Sequence, residues 1–142
     1  MVPFEPWHLT QLDEITDRFW IAPTMEYGRM LQTAGPCHTL FAGPNVLGCG
    51  GFVQYWEGRV QAWTVLALAV KRYPMALHRL VTRMLSQVQA RRIECTVDPT
   101  NVAAVRWAVR LGFQYEGTMR GYTPDGATMD LYALVRDSWP KP

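Results

Sequence analysis

The sequence predicts an α/β fold of the α+β kind, with a mixed, mostly antiparallel central sheet of about seven strands flanked by four helices. Three observations carry this. Between Cys37 and Leu68 apolar residues recur with period two over three consecutive stretches, the pattern of antiparallel strands. From Pro74 onward a helical period, a β-rich stretch and a second helical period follow one another, which inserts a strand, helix, strand crossover. Near the C-terminus Pro124-Asp125-Gly126 reads as a hairpin turn between two last strands. A crossover set among hairpins makes the sheet mixed.

Taken in order, Val2 to Trp7 forms a short first strand. Leu9, Leu12, Ile15, Thr16 and Phe19 then recur at three- and four-residue steps and predict an amphipathic helix, with Thr10 and Asp13 as a weak capping box and Ala22-Pro23 as its end. Thr24 caps a second helix over Met25 to Ala34, which Gly35-Pro36 stops. The three strands follow over Cys37 to Ala42, Val46 to Tyr55 and Val60 to Leu68, separated by Gly43-Pro44-Asn45 and Glu57-Gly58. Gly48, Gly50 and Gly51 inside the middle one mark a bulge or a close backbone approach.

Pro74 to Ala90 sets Leu77, Leu80, Val81, Met84, Leu85 and Val88 on one face and Arg79, Arg83 and Gln87 on the other, a third helix. Arg92 to Val97 is a strand. Asp98 then reads as an N-cap, Pro99 as the first helical residue and Gly112 as the left-handed stop of a helix over Asn101 to Leu111. Gln114 to Arg120 and Ala127 to Arg136 complete the sheet. The element order is βααβββαβαββ, with no repeat or linker, so a single domain over 1–142 is expected.

Composition narrows the function classes. With 142 residues, 49% apolar and 18% charged, the chain has enough material for a substantial core. A net charge of +2 does not call for nucleic acid or an acidic membrane surface. Three cysteines, Cys37, Cys49 and Cys95, lack paired spacing and flanking His ligands, which favours reduced thiols over a disulfide or zinc framework. The longest apolar run, Val65 to Val70, falls far short of the roughly 18 residues of a membrane span. No basic-then-apolar leader opens the sequence, so a cytoplasmic, unexported protein without a metal is the expectation.

Asn101, Ala104, Gly112-Phe113, Glu116-Gly117-Thr118 and Arg120 resemble the last conserved block of the GNAT superfamily of acetyl-CoA-dependent N-acetyltransferases. The element order matches that fold independently. The spacing, with Asp130, Tyr132 and the terminal Asp137-Ser138-Trp139, looks most like the branch that acetylates ribosomal-protein and other amino groups. Over its whole length, including Pro3-Phe4-Glu5-Pro6-Trp7-His8-Leu9, the chain also resembles small GNAT-like proteins of tailed phages and prophages, some of them internal virion components.

The resemblance implies a GNAT-like acyl-CoA N-acyltransferase domain that takes acetyl-CoA as cosubstrate and a primary amine as acceptor. Its phosphate loop maps onto Lys71-Arg72-Tyr73-Pro74-Met75-Ala76, with Lys71 leading, Pro74 in the place of the central Gly and Ala76 last. Pro74 removes one backbone donor from that cradle. Lys71, Arg72, His78, Arg79, Arg83, Arg91 and Arg92 lie in a stretch without acidic residues and offer cations to phosphate or simply solvate a helix face. The strand from Val60 to Leu68 would pair its backbone, at Leu66 and Leu68, with the pantetheine arm. Ala104 would meet the coenzyme, and Asn101 would hydrogen-bond that arm or help orient the acyl group, the alternative being a plain first-turn residue after the Asp98 cap.

Many superfamily members place a Tyr seven residues after the Asn as general acid, and here that position is Ala108. Tyr115, Tyr122 and Cys95 are substitutes. Glu94 and Glu26 are candidate bases if burial raises a carboxyl pKa, with ion pairs to Arg92 or Arg29 as the alternative. Two functions stand: an N-acetyltransferase, or a catalytically degenerate GNAT-fold structural or interaction protein partnered with phage virion proteins. Nucleic-acid binding is the weakest idea, because no aromatic residues interleave the arginines.

Overall fold

The computed structural model describes residues 1–16 and 23–137. Its strands are β1 (Val2–Pro3), β2 (Cys37–Ala42), β3 (Asn45–Trp56), β4 (Gly58–Leu66), β5 (Ala90–Val97), β6 (Gln114–Met119) and β7 (Met129–Val135). They form one sheet in the order β1-β2-β3-β4-β5-β7-β6. Pairing is antiparallel for β1 with β2, β2 with β3, β5 with β7 and β6 with β7, and parallel for β4 with β5. This is the mixed, mostly antiparallel sheet that the sequence predicts. The described helices are α1 (Met25–Ala34), α2 (Pro74–Gln87), α3 (Val102–Arg110) and two 3-10 helices, Pro6–Gln11 and Leu68–Arg72. None of them is long and apolar enough to cross a membrane. The chain divides into two compact units, Met1–Gln54 with Ala62–Val88, and Tyr55–Gln61 with Gln89–Pro142.

In the first unit Phe4, Leu9, Leu31, Val46, Cys49 and Val65 form the core. Thr24 caps α1 by accepting the Tyr27 N–H at 3.2 Å, as its sequence position predicts. The first strand ends at Pro3 rather than Trp7, because Pro6 starts a 3-10 helix and the Glu5 N–H donates to His8 Nδ1 at 3.0 Å. The predicted first helix is also corrected. Leu12 to Thr16 are not helical, and Leu12 and Ile15 pack against the core from irregular chain; burial satisfies their spacing without a helix. Phe19 and Ala22, like Ser138 and Trp139, lie outside the described residues.

Of the two alternatives for the glycines of β3, close backbone approach is seen at Gly51, and a register shift lies next to Gly48. The β2–β3 register shifts between Leu40 and Phe41, and a Cβ on Gly51 would lie 2.5 Å from the Pro36 carbonyl oxygen, closer than atoms pack. α2 ends at Gln87, so Ala90 opens β5 instead of closing a helix.

In the second unit Ile93 is fully buried, joined by Val60, Val97, Ala108, Phe113, Tyr132 and Ala133. Asp98 is not the cap of α3. Its Oδ1 accepts the Thr100 N–H at 2.9 Å and the Thr100 hydroxyl at 2.7 Å, an Asx turn, and Asn101 takes the cap by accepting the Ala104 N–H at 3.1 Å. The far end is as predicted. Gly112 has φ +101°, its N–H reaches the Val109 carbonyl and the Phe113 N–H that of Ala108, the paired bonds of a Schellman stop. Ala127 belongs to the turn rather than to β7, since its N–H donates to Thr123 Oγ1 and its carbonyl accepts from Tyr122 and Thr123.

Candidate functional site

In the first unit the candidate binding residues fall on consecutive elements. β4 stops at Leu66 rather than at the predicted Leu68, and Leu68 starts a 3-10 helix that ends with Lys71 and Arg72. Tyr73 precedes α2 and no side chain caps it; Pro74 is the first helical residue. The first bond of α2 runs from the Leu77 N–H to the Tyr73 carbonyl at 3.1 Å. The N–H groups of Met75 and Ala76 come before it and face outward from the positive end of the helix dipole. Lys71 and Arg72 end the 3-10 helix that comes before this helix start in the chain.

The backbone at the end of β4 is already engaged. The Ala67 N–H donates to the Leu47 carbonyl of β3 at 2.9 Å, so the neighbouring Leu66 and Leu68 present their backbone groups to the opposite edge. There the Leu66 carbonyl accepts the Thr16 N–H at 2.9 Å, and the Leu68 N–H donates to the Glu14 carbonyl at 2.7 Å. Nothing in the local sequence pattern marks Glu14 to Thr16 for this position. Beneath α2, Leu40, Phe52, Leu66, Leu77, Val81 and Met84 help line a cavity of about 50 Å³. That is about a third of the roughly 150 Å³ that admits benzene, so the cavity is a packing gap.

In the second unit Glu94 is buried and doubly paired. Arg59 donates to it through Nε at 2.8 Å and Nη2 at 2.9 Å, and Arg92 through Nε at 2.7 Å. Arg92 also donates to both Glu116 oxygens, and the Arg59 guanidinium stacks on the Tyr55 and Trp56 rings at 4.5 and 4.4 Å. The hydrogen bonds from Arg59, reinforced by the one from Arg92, hold the Glu94 carboxyl below its ordinary pKa against the opposing effect of burial. The ion-pair alternative is therefore the one realised, and a raised pKa at Glu94 is not. Glu26 sits exposed in the first turn of α1.

Tyr115 belongs to a different network. Thr118 donates its hydroxyl to Asp130 at 2.9 Å, which leaves Tyr115 to donate to Thr118 at 2.6 Å. A bulge makes this contact. The β6–β7 register shifts between Tyr115 and Gly117, so Glu116 is the extra residue and Tyr115 and Thr118, three apart, share a face. Cys95 pairs across from Tyr132 and burial pushes its thiol up to about 12, an unfavourable proton donor at neutral pH. Ala108 is buried. Asn101 commits its side-chain oxygen to the Ala104 N–H, which leaves its amide NH2 as the group able to donate outward. Among the described residues no three His, Cys, Asp or Glu side chains come together as a metal set.

No protein-family model matches the sequence, and no curated protein matches it. Solved structures do. The GNAT-family acetyltransferase of Bacillus anthracis is 19% identical, with 94% of this chain and 92% of that one aligned and a TM-score of 0.67. The ribosomal-protein-S5-alanine acetyltransferase of Vibrio fischeri is 18% identical over 94% and 83% of the two chains, TM-score 0.66. The Salmonella typhimurium protein yncA, solved with its cofactor acetyl-CoA, is 13% identical over 96% and 87%, TM-score 0.69. At such identities the likeness shows the fold: this chain has the fold of GNAT acetyltransferases.

Proposed function

We propose that this protein binds acetyl-CoA and transfers the acetyl group to a primary amine. The observation that carries the reading is the start of α2: no side chain caps it, and Lys71 and Arg72, just before its Tyr73 cap position, end the 3-10 helix that follows β4. The pyrophosphate would lie on the Met75 and Ala76 amides with Lys71 and Arg72 as counter-charges, and the pantetheine arm along Leu66 and Leu68. Pro74 supplies no N–H to that cradle, and one missing charge-assisted bond lowers affinity about ten- to a hundredfold. The two cations offset part of that loss. In the second unit Asn101 and Ala104 are coenzyme-binding candidates through the resemblance, and the Asn101 amide NH2 is the group able to donate.

The reaction forms a C–N bond between the amine and the acetyl carbonyl carbon and breaks the C–S bond; the amine loses a proton and the thiolate gains one. Glu94 is a weak base while two guanidinium groups hold it, and Tyr115 already donates its proton to Thr118. The amine therefore reaches the thioester already deprotonated or loses its proton to water, and acceleration comes mainly from holding the reactants in line. The rival reading, a degenerate GNAT-fold module such as a phage virion component, draws support from the same pinned Glu94 and from Ala108.

Calorimetric titration with acetyl-CoA tests binding, and release of the coenzyme thiol in the presence of a polyamine or a peptide with a free N-terminus tests transfer. Micromolar binding with thiol release is expected. Binding without release on any amine favours the non-catalytic module, and no heat at high micromolar acetyl-CoA overturns both binding and transfer.

A further inference from the structure

We propose that Glu14–Ile15–Thr16 is an internal strap that occupies the outward edge of β4 and competes there with the pantetheine arm of the coenzyme, so that its release controls binding. The proposal rests on the acyl-CoA reading above.

Four features define the strap. The Thr16 N–H and hydroxyl both donate to the Leu66 carbonyl, at 2.9 and 3.3 Å. The Leu68 N–H donates to the Glu14 carbonyl at 2.7 Å. Between them Ile15 forms an antiparallel bridge with Ala67. Glu14 has φ +44°, the one non-glycine residue with positive φ among the described residues. The strap is thus a minimal extra strand that satisfies the backbone groups of Leu66 and Leu68.

A pantetheine arm carries two secondary amides, each with one donor and one acceptor. It can replace the strap bond for bond at Leu66 and Leu68, so the exchange is close to balanced and small changes in the strap move it. The left-handed backbone of Glu14 supplies the bias toward release, because a side chain in that region is strained where glycine is not. Strap and arm cannot hold the Leu68 N–H together, since it is a single donor.

Two substitutions push the exchange in opposite directions. Glu14→Gly relieves the strain and tightens the strap, so the Kd for coenzyme A rises about fivefold or more. Thr16→Pro removes the N–H that holds Leu66, and the extended backbone it imposes on Ile15 suits a residue already in a β-bridge. The Kd then falls. Calorimetry with coenzyme A reads both, and amide hydrogen exchange reads the strap itself: the Thr16 amide is protected in the free wild-type protein and loses protection when coenzyme A is added. Coenzyme A binding only to Thr16→Pro also bears the proposal out. If coenzyme A binds, the Thr16 amide stays protected and both variants bind like wild type, the strap is a structural fixture and the coenzyme reading stands alone. If neither wild type nor Thr16→Pro binds coenzyme A, the coenzyme reading falls and the strap with it.

Discussion

Glu94 and Tyr115 lie on opposite faces of the sheet. Glu94 pairs across from Ala133 of β7 and Tyr115 across from Tyr132, one residue along, and adjacent strand positions point to opposite sides. Each has its own partners there, Arg59 and Arg92 for Glu94, Thr118 and through it Asp130 for Tyr115. The two cannot act together as a hydrogen-bonded acid and base.

Glu94 is then a structural anion, and its variants show this in stability before activity. Glu94→Gln leaves two guanidinium groups without their shared carboxylate and lowers Tm at pH 7 by about 5 °C or more. Because Arg59, and then Arg92, hold the folded pKa below the ordinary 4.5, the carboxylate's contribution is complete above that value and is lost as pH falls through the folded pKa. Melting curves from pH 7 to pH 3 should show the wild-type advantage shrinking in acid. A gap of constant size would contradict it.

His8 sets a second pH dependence, in the first unit. It is buried, and its Nδ1 accepts from the Glu5 N–H at 3.0 Å and lies 2.8 Å from the Thr39 hydroxyl. Burial lowers its pKa from the ordinary 6.5, with the Glu5 charge opposing. The folded state therefore favours neutral His8; that stability is present above pH 6.5 and declines as pH falls through the folded value. Thermal melts between pH 8 and pH 5 should fall more steeply for wild type than for His8→Gln, which keeps an acceptor but cannot take up the proton.

Most of the fold was legible because it was encoded locally. Period-two stretches, Thr24 before α1 and Gly112 after α3 each specify a backbone state through neighbouring residues alone, and each held. Leu12 and Ile15 misled for the converse reason: helical spacing records burial on one side, and a sheet-edge contact at Ala67 meets that demand as well as a helix does. The cap of α3 was misassigned to Asp98, because Asp98 is a good cap residue by type while its carboxylate is taken up by the Asx turn at Thr100, which leaves the cap to Asn101. The starts of α2 and α3 were legible as local segments, Lys71 to Ala76 and Asn101 to Ala104, but side-chain networks were not. Arg59 lies 35 residues from Glu94, and only the parallel register of β4 on β5 brings them together.

Gly51 is a position where a single methyl group should harm the first unit. A Cβ there would meet the Pro36 carbonyl oxygen at 2.5 Å and Cys37 Cβ at 2.4 Å, and both belong to chain that pairs with β3 at that point. Backbone cannot rotate away as a side-chain tip can. Gly51→Ala is expected to destabilise by about 2 to 3 kcal/mol, read as a lower urea midpoint with an unchanged slope. A midpoint within error of wild type would mean that β2 and β3 separate easily.

Asn101 joins a structural duty to a proposed binding one, and two substitutions separate them. Its Oδ1 caps α3 on the Ala104 N–H, so Asn101→Ala should cost about 1 kcal/mol and lower Tm accordingly. Asn101→Asp keeps an oxygen for the cap and places a negative charge at the positive end of the helix dipole, so Tm should hold or rise. The aspartate has no NH2 to donate and carries a charge of the wrong sign toward a polyanionic coenzyme. If Asn101 meets the pantetheine arm, Asn101→Asp binds acetyl-CoA at least tenfold more weakly while melting like wild type. Equal affinity for wild type and Asn101→Asp would reduce Asn101 to its cap.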